Sequence, residues 1–286
     1  MMLAGKRAVI TGASQGLGQK IATRFAKEGA DVLICARSGD DLKLAEQQIR
    51  AEAHGKVAAK VASIAVEADV RSLVEEASGK LGGLDILVCN AGIYGPKGPI
   101  DELDWANWVE AIQINLLGTV LCCRLFLPLL RKSPRGKIIL LSGGGATKPL
   151  PFLSAYAASP AGVVRFGETL AGELAACGID VNSVAPGALN TRMLQEVLDA
   201  GPEKVGPAFY RAAMEQREKG GTPLDAGANL CLYLASDESN GITGKLISAT
   251  WDPWREFAEH RQDLAKTDIY TLRRIIPGER GLSWGS

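Results

Sequence analysis

Three glycines near the N-terminus, Gly12, Gly16 and Gly18, follow the spacing T-G-x-x-x-G-x-G. An apolar run at 7–11 precedes them, and residues 16–27 continue with the apolar spacing of a helix. Glycines at a strand-to-helix turn let the backbone bend sharply and approach a pyrophosphate, which then rests on the amino end of the helix. We therefore predict a dinucleotide site formed by Gly12, Ser14, Gln15, Gly16, Leu17 and Gly18, the alternative being a tight turn without a ligand.

Side chains suited to metal or nucleophilic chemistry are sparse. His54 and His260 are the two histidines of the sequence, and none of the six cysteines forms a C-x-x-C pair. A zinc site would have few ligands to draw on, and neither histidine accompanies the nucleophile motif of a Ser-His-Asp hydrolase. We predict no metal site, and cysteines that serve as small core residues.

Composition and charge narrow the class of protein. The 286 residues include 32 Lys and Arg against 32 Asp and Glu, and 47% are hydrophobic. Zero net charge argues against nucleic acid or an anionic membrane surface as the main partner. The longest apolar stretch, 112–130, contains Gln113, Asn115 and Arg124, which argues against a membrane span. The N-terminus lacks the apolar region of a signal peptide, so we expect a cytoplasmic protein.

Short apolar runs alternate with helical patterns along the chain. The strands and helices that they predict must position the residues of the dinucleotide site. Strands are predicted at 7–11, 31–36, 64–69, 84–89, 137–141, 179–184 and 245–248. Helices are predicted at 16–27, 40–53, 101–131, 154–176 and 224–235. This alternation predicts a single-domain α/β fold, a doubly wound parallel sheet of about seven strands flanked by helices. We expect a dinucleotide-binding domain at 1–250 and a tail at 251–286, packed on the body or on a neighbouring subunit.

Later segments carry further motifs in a consistent order. They are Asp69-Val70, Asn90-Ala91-Gly92, Asn115, Tyr156, Pro186-Gly187, Leu189 and Thr191. Together with the glycine turn they resemble the short-chain dehydrogenase/reductase family, whose fold is of the Rossmann type. The resemblance implies a nicotinamide cofactor, an adenine contact at Asp69 and Val70, and a carboxamide contact at 186–191. It also implies an acid-base role for Tyr156, a relay role for Asn115, a small-molecule substrate, and a homodimer or homotetramer.

The end of the second strand bears on which nicotinamide cofactor is bound. An acidic residue there would grip the ribose hydroxyls of NAD(H) and repel a 2′-phosphate. The sequence has Arg37 and Ser38 instead, and its first carboxylates are Asp40 and Asp41. Arg37 could form a bidentate contact with a 2′-phosphate, with help from Ser38. We predict NADP(H) as the cofactor, with NAD(H) as the alternative. For Arg37 itself, the alternative is a solvated side chain at a strand end that contacts no phosphate.

The resemblance also implies a Lys four residues after the tyrosine and a Ser thirteen residues before it. This sequence has Pro160 and Gly143 at those positions. Without the cation, Tyr156 would stay protonated near neutral pH, so that it could act as an acid but poorly as a base. Ser142 could replace the missing hydroxyl if the glycines at 143–145 bend the strand end. Lys148 could reach the site, whereas Arg165 lies two helical turns away.

Three functions follow from this pattern. The first is an NADP(H)-dependent oxidoreductase with a non-standard site, acting on a carbonyl or hydroxyl of an unidentified small molecule. The second is a catalytically impaired nucleotide-binding protein, either a sensor or a partner subunit. The third is a non-redox enzyme that reuses the pocket. Residues 188–221 suit a mobile lid over the substrate, or a rigid helical insertion.

Overall fold

A computed structural model describes residues 1–284 and contains a parallel sheet of seven strands in the order β3-β2-β1-β4-β5-β6-β7. The strands are β1 Arg7–Thr11, β2 Asp31–Ala36, β3 Val57–Val61, β4 Ile86–Cys89, β5 Gly136–Leu141, β6 Ile179–Ala185 and β7 Lys245–Ser248. This order reverses direction between β1 and β4, as in a Rossmann fold. The predicted fold class is confirmed.

Helices cover both faces of the sheet. They are α1 Gly16–Lys27, α2 Gly39–Arg50, α3 Glu67–Leu81, α4 Trp105–Ile112, α5 Gly118–Leu130, α6 Ser154–Leu174, α7 Arg192–Ala200, α8 Pro202–Val205, α9 Pro207–Lys219, α10 Leu224–Ala235 and α11 Arg261–Lys266. One core contains α1, α2 and α10, and the other contains α3, α5 and α6. Central strands are buried on both faces, which is why their sequences are continuously apolar.

The third strand was predicted in the wrong place. The structure forms β3 at Val57–Val61, and α3 begins at Glu67, so the predicted strand 64–69 is wrong. The true strand lies at the sheet edge and includes Lys60 and an exposed Val61, so its apolar signal is weak. Glu67 and Asp69 lie in the first turn of α3, where acidic side chains are favoured by the helix dipole.

The long apolar helical region is continuous from Trp105 to Leu130, with a π-helical turn at Gln113–Leu117 between α4 and α5. Its length and composition would suffice to cross a membrane, a test that core helices of soluble proteins also pass. Here Cys122, Phe126 and Leu130 are buried in the core beside α3 and α6.

Two additions border the sheet. Helices α7 to α9, which we call the cap, form a small apolar cluster of their own around Val197 and Val205. After β7, the chain buries Trp254 and Phe257 in the α1–α10 core. It then passes along β7, where the N–H of Leu246 donates to the carbonyl of Tyr270 at 2.8 Å.

Candidate functional site

A large cleft opens at the carboxyl ends of the strands, beside β1 and β4, where the strand order reverses. Its volume is about 1320 Å³. In open α/β sheets, ligands bind at this topological switch point. Its lining comes from six parts of the chain: the glycine turn, the end of β2, the N-A-G segment, Tyr156, the 186–191 segment and the cap.

The glycine turn is shaped for close approach of a ligand to the main chain. Gly12 and Gly16 have φ angles of +64° and +60°, a region that favours glycine. A Cβ on Gly18 would lie 2.4 Å from the carbonyl oxygen of Gly12. The amide of Asn90 locks the turn, because its Nδ2 donates to the carbonyls of Thr11 and Gly12, each at 3.0 Å. Gln15 precedes α1 without a side-chain cap, so the first N–H groups of that helix remain available to phosphate oxygens.

On the adenosine side, some of the predicted residues line the cleft and others do not. Arg37 and Ser38 line it, and so does Asp41, which the sequence reasoning did not place there. Asp69 and Val70 do not line the cleft in the described chain. Val70 is fully buried in the core, and the Asp69 carboxylate accepts from the N–H of Ser63 at 2.8 Å. The cleft is lined instead by Ala62, Ser63 and Ile64, which directly follow β3.

The opposite side of the cleft is formed by the chain that follows β6. Pro186, Gly187, Leu189 and Thr191 all line it. Gly187 has a φ angle of +93°, and a Cβ there would lie 2.5 Å from the hydroxyl of Thr222. The 186–191 segment lies close to the glycine turn, since the methyl group of Thr191 would be 3.6 Å from a Cβ on Gly16.

Tyr156 lies in the first turn of α6 and faces the cleft beside Gly143. A Cβ on Gly143 would lie only 2.5 Å from the hydroxyl oxygen of Tyr156, so these two positions adjoin. Pro160, one helical turn further along α6, is buried and also lines the cleft. Burial raises the pKa of Tyr156 above its ordinary value, because the apolar surroundings disfavour the phenolate. The phenol therefore carries its proton at neutral pH.

Asn115 is buried in the π-helical turn, and both atoms of its amide are occupied. The Oδ1 accepts from the N–H of Ile93 and the Nδ2 donates to the carbonyl of the same residue, each at 2.8 Å. The side chain therefore fixes the loop that follows β4. Gly92 lies beside this amide, because a Cβ there would be 3.3 Å from Asn115 Oδ1.

Ser142 directly follows β5, and its N–H donates to the carbonyl of Val184 at 2.8 Å. Its hydroxyl oxygen is buried and has no hydrogen-bond partner among residues 1–284, although the residue lines the cleft. Lys148 also lines the cleft. Arg165 does not reach it in the described chain, since its guanidinium binds the carboxylate of Glu168 and the carbonyl of Leu272.

The structure adds cleft residues that sequence reasoning did not identify. Tyr94 follows β4 and packs on Tyr156. The cap and the tail contribute Met193, Leu194, Glu196, Val197, Phe209, Trp251, Asp252 and Tyr270. Tyr94 could have been found, because a residue just after a central strand lies at the carboxyl edge of the sheet. The tail residues could not, because their position depends on tertiary packing. Among residues 1–284, no cluster of His, Cys, Asp or Glu is arranged to hold a metal ion.

Comparisons with known proteins agree with this architecture. A sequence model described as short chain dehydrogenase matches residues 6–201. The chain is 40% identical over 252 residues to 3beta-hydroxysteroid dehydrogenase 1 of Eggerthella lenta, covering 86% of this chain and 92% of that protein. It is 34% identical over 245 residues to glucose 1-dehydrogenase of Gluconobacter oxydans, covering 85% and 90%. Carveol dehydrogenase of Mycobacterium avium, solved in complex with NAD, matches with a TM-score of 0.76 at 26% identity, over 86% of this chain and 96% of that chain.

These relatives carry dehydrogenase names that differ in substrate, and the match extends over most of each protein. The expectation of an oxidoreductase with a Rossmann fold that binds NAD(P) is confirmed. The chain belongs to the short-chain dehydrogenase family.

Proposed function

We propose that this protein is an NADP(H)-dependent oxidoreductase that interconverts a carbonyl and a hydroxyl group of a small molecule, working best in the direction of reduction. The observation that carries the proposal is the position of the Tyr156 phenol. It faces the same cleft as the glycine turn, it adjoins Gly143, and its pKa is raised by burial.

The proposed cofactor site uses the cleft residues in three groups. The glycine turn, with Asn90, Ala91 and Gly92, would hold the pyrophosphate and its neighbours. Arg37 and Ser38 would hold the 2′-phosphate of the adenosine ribose, while Asp41 would oppose it. Ser63 and Ile64, rather than Asp69 and Val70, would contact the adenine. The segment 186–191 would contact the nicotinamide, which when bound exchanges a hydride with the substrate carbon.

Tyr156 would donate a proton to the substrate oxygen during reduction. A phenol with a raised pKa suits this role, because it is protonated at neutral pH. The reverse reaction would require the phenolate. Pro160 provides no positive charge to stabilise it, and Gly143 provides no hydroxyl. We therefore propose that the catalytic motif departs from the one that the resemblance implies at these two positions.

Two other residues have proposed supporting roles. The buried Ser142 hydroxyl lacks a partner in residues 1–284, so a substrate oxygen would satisfy it. Asn115 would act by fixing the loop that carries Ile93 and Tyr94, since both atoms of its amide are already bound to Ile93.

The cap favours an apolar substrate. Leu194, Val197 and Phe209 line the cleft and pack together in the cap cluster. These three side chains offer no hydrogen bonds to a sugar and much contact to a ring system, while Arg192, Glu196 and Gln216 of the cap leave polar groups at the same cleft for the substrate oxygen. We therefore propose a cyclic, largely apolar ketone or secondary alcohol, closer to the steroid named for the Eggerthella lenta relative than to glucose.

The test is turnover by the purified protein with NADPH and a panel of cyclic ketones that includes a 3-ketosteroid. We expect reduction, and a loss of about hundredfold or more in Tyr156→Phe, as for removal of a general acid. Tyr210→Phe, a cap tyrosine outside the cleft lining, should keep the rate. Tight NADPH binding without turnover would favour the nucleotide-binding alternative and overturn this proposal.

Assembly, domain division and location are further proposals. We propose a homodimer or homotetramer, supported by the exposed apolar side chains of Trp105, Val109 and Leu117 on one helical region.

We propose a dinucleotide-binding domain at 1–250 and a tail at 251–286, supported by burial of Trp254 and Phe257 against the body. The last residues of that tail, 285–286, lie outside the described part. We also propose a cytoplasmic location, without nucleic acid or membrane partners.

A further inference from the structure

Tyr156 does not stand alone in the cleft. The ring of Tyr94 packs on it, with 4.4 Å between the ring centroids and 56° between the planes. Tyr94 also lines the cleft. Burial, followed by the charges of Tyr156 and Glu196, raises the pKa of Tyr94 above its ordinary value. The two half-buried phenols therefore form one pair, which we call the tyrosine pair.

A lysine lies against the tyrosine pair. The ammonium of Lys97 is 5.4 Å from the centroid of the Tyr94 ring, within the range of a cation–π contact. Its side chain is only 13% exposed, so solvent screens the charge weakly. The ammonium also donates to the carbonyl of Gly95 at 3.4 Å, which holds it near the loop after β4.

The same lysine reaches the cap. Lys97 Nζ lies 3.7 Å from a carboxylate oxygen of Glu196 on α7, and Glu196 lines the cleft. The guanidinium of Arg192 also donates to this carboxylate at 3.4 Å. A row of contacts therefore runs from the cap through Glu196, Lys97 and Tyr94 to Tyr156.

We propose that Lys97 is a positioning residue of the reaction site, which supplies through Tyr94 a part of the positive charge that position 160 lacks and connects the tyrosine pair to the cap. This rests on the proposed function only in giving Tyr156 a proton-transfer role. The cation favours the phenolate form of the pair, whereas Glu196 disfavours it. Lys148, before α6, and Arg192, on α7 beside Glu196, are further cations of the cleft lining. On α6, Arg165 and Glu168 lie more than two turns beyond Tyr156.

The test is a pH titration of the tyrosine pair in the full-length protein without cofactor or substrate. The signal is the phenolate absorbance that disappears when Tyr94 and Tyr156 are both replaced by Phe. We expect Lys97→Met to lower the acid ionisation constant of the pair at least threefold, and Lys97→Arg to restore it. Glu196→Gln should change it in the opposite direction, because it removes a negative charge.

Lys219→Met is the matched control, since Lys219 forms a similar pair with Glu215 on α9, where both side chains are well exposed. It should leave the titration unchanged. An unchanged titration in Lys97→Met, or an equal change in Lys219→Met, would overturn the proposal. If Lys97→Met does not fold, the opposite shift in Glu196→Gln decides instead: its presence supports the proposal and its absence overturns it. The titration needs neither cofactor nor turnover. A protein that showed no turnover would therefore count against the proposed function, while the titration would still decide the role of Lys97.

Discussion

At the β1–α1 turn, a Cβ on Gly12 would lie 2.6 Å from the Cα of Ala91, and one on Gly18 would lie 2.4 Å from the carbonyl of Gly12. These neighbours are main-chain atoms, which cannot move without refolding the turn. At the end of β5, a Cβ on Gly143 would lie 2.5 Å from the hydroxyl of Tyr156, and one on Gly144 would have nothing within 4 Å. The two halves of the cleft are therefore held by different parts of the chain.

The difference predicts that substitutions at the two halves have different consequences. The phosphate half is shaped by backbone packing and by the Asn90 amide, so a change there disturbs the fold. In the reaction half, Gly143 adjoins the Tyr156 side chain, whereas a Cβ on Gly145 would lie 2.6 Å from the Cα of Ala157. Gly143 and Pro160 can occupy their positions without altering the sheet or its register, because β5 and β6 stay paired from Gly136 to Leu141.

The largest effect is expected from Gly12→Ala. A residue with a Cβ is strained at a φ angle of +64° and would overlap Ala91. Together these costs are on the order of 2–5 kcal/mol. We expect a matching loss of unfolding free energy, and a fall of about hundredfold in NADPH affinity, measured by denaturant unfolding and fluorescence titration.

Gly172→Ala is the control for Gly12→Ala, because Gly172 is exposed in α6 with open space around it. It should stabilise the protein by about 0.5–1 kcal/mol and leave NADPH affinity unchanged. Equal affinity in Gly12→Ala and the native protein would show that the turn does not hold the cofactor through its main chain.

Pro160→Lys tests the reaction half. A nearby cation lowers the pKa of an acid by about 1–3 units, so the phenolate of Tyr156 would form at lower pH. We expect alcohol oxidation at neutral pH to increase tenfold or more, and its rise with pH to begin earlier than in the native protein. The pH dependence of the oxidation rate with NADP⁺ measures this.

Pro160→Met separates charge from backbone effects. Proline inside α6 removes an N–H that would bond to the carbonyl of Tyr156, at a cost of about 3 kcal/mol in a helix interior. Both substitutions should therefore raise the unfolding free energy, but Lys alone should accelerate oxidation. Equal acceleration by Met would mean that helix geometry, rather than charge, limits the reaction.

The same two halves differ in how well the sequence predicted them. The strands of the central sheet and the glycine turn were predictable, because their apolar runs and φ requirements are local. The position of Asp69 and Val70 outside the described cleft lining was not predictable, because their residue types match a motif while β3 ends earlier, at Val61. The Asp69 carboxylate binds the Ser63 N–H and lies in α3. The pairing of Tyr94 with Tyr156 was missed because it joins segments distant in sequence, and the place of Lys97 against the Tyr94 ring was missed with it.

Arg37→Ala tests the nucleotide preference, with a smaller expected effect. A charge-assisted hydrogen bond contributes about 1.5–3 kcal/mol, so NADPH affinity should fall tenfold or more. NADH affinity should change little or increase, since Asp41 also lines this end of the cleft and would then face the ribose hydroxyls without a competing cation. Equal losses for both nucleotides would contradict a 2′-phosphate contact.

The smallest effect is expected from Ser142→Ala. The Ser142 hydroxyl oxygen is buried and has no partner in the described chain, so its removal takes away a desolvated polar group. We expect the unfolding free energy to stay constant or to rise by about 1 kcal/mol. If the hydroxyl donates to the substrate oxygen during the reaction, kcat should fall by about tenfold while NADPH affinity is unchanged. A stabilised variant with native kcat would assign the reaction half to Tyr156 and its packing partners alone, since Gly143 adds no hydroxyl of its own.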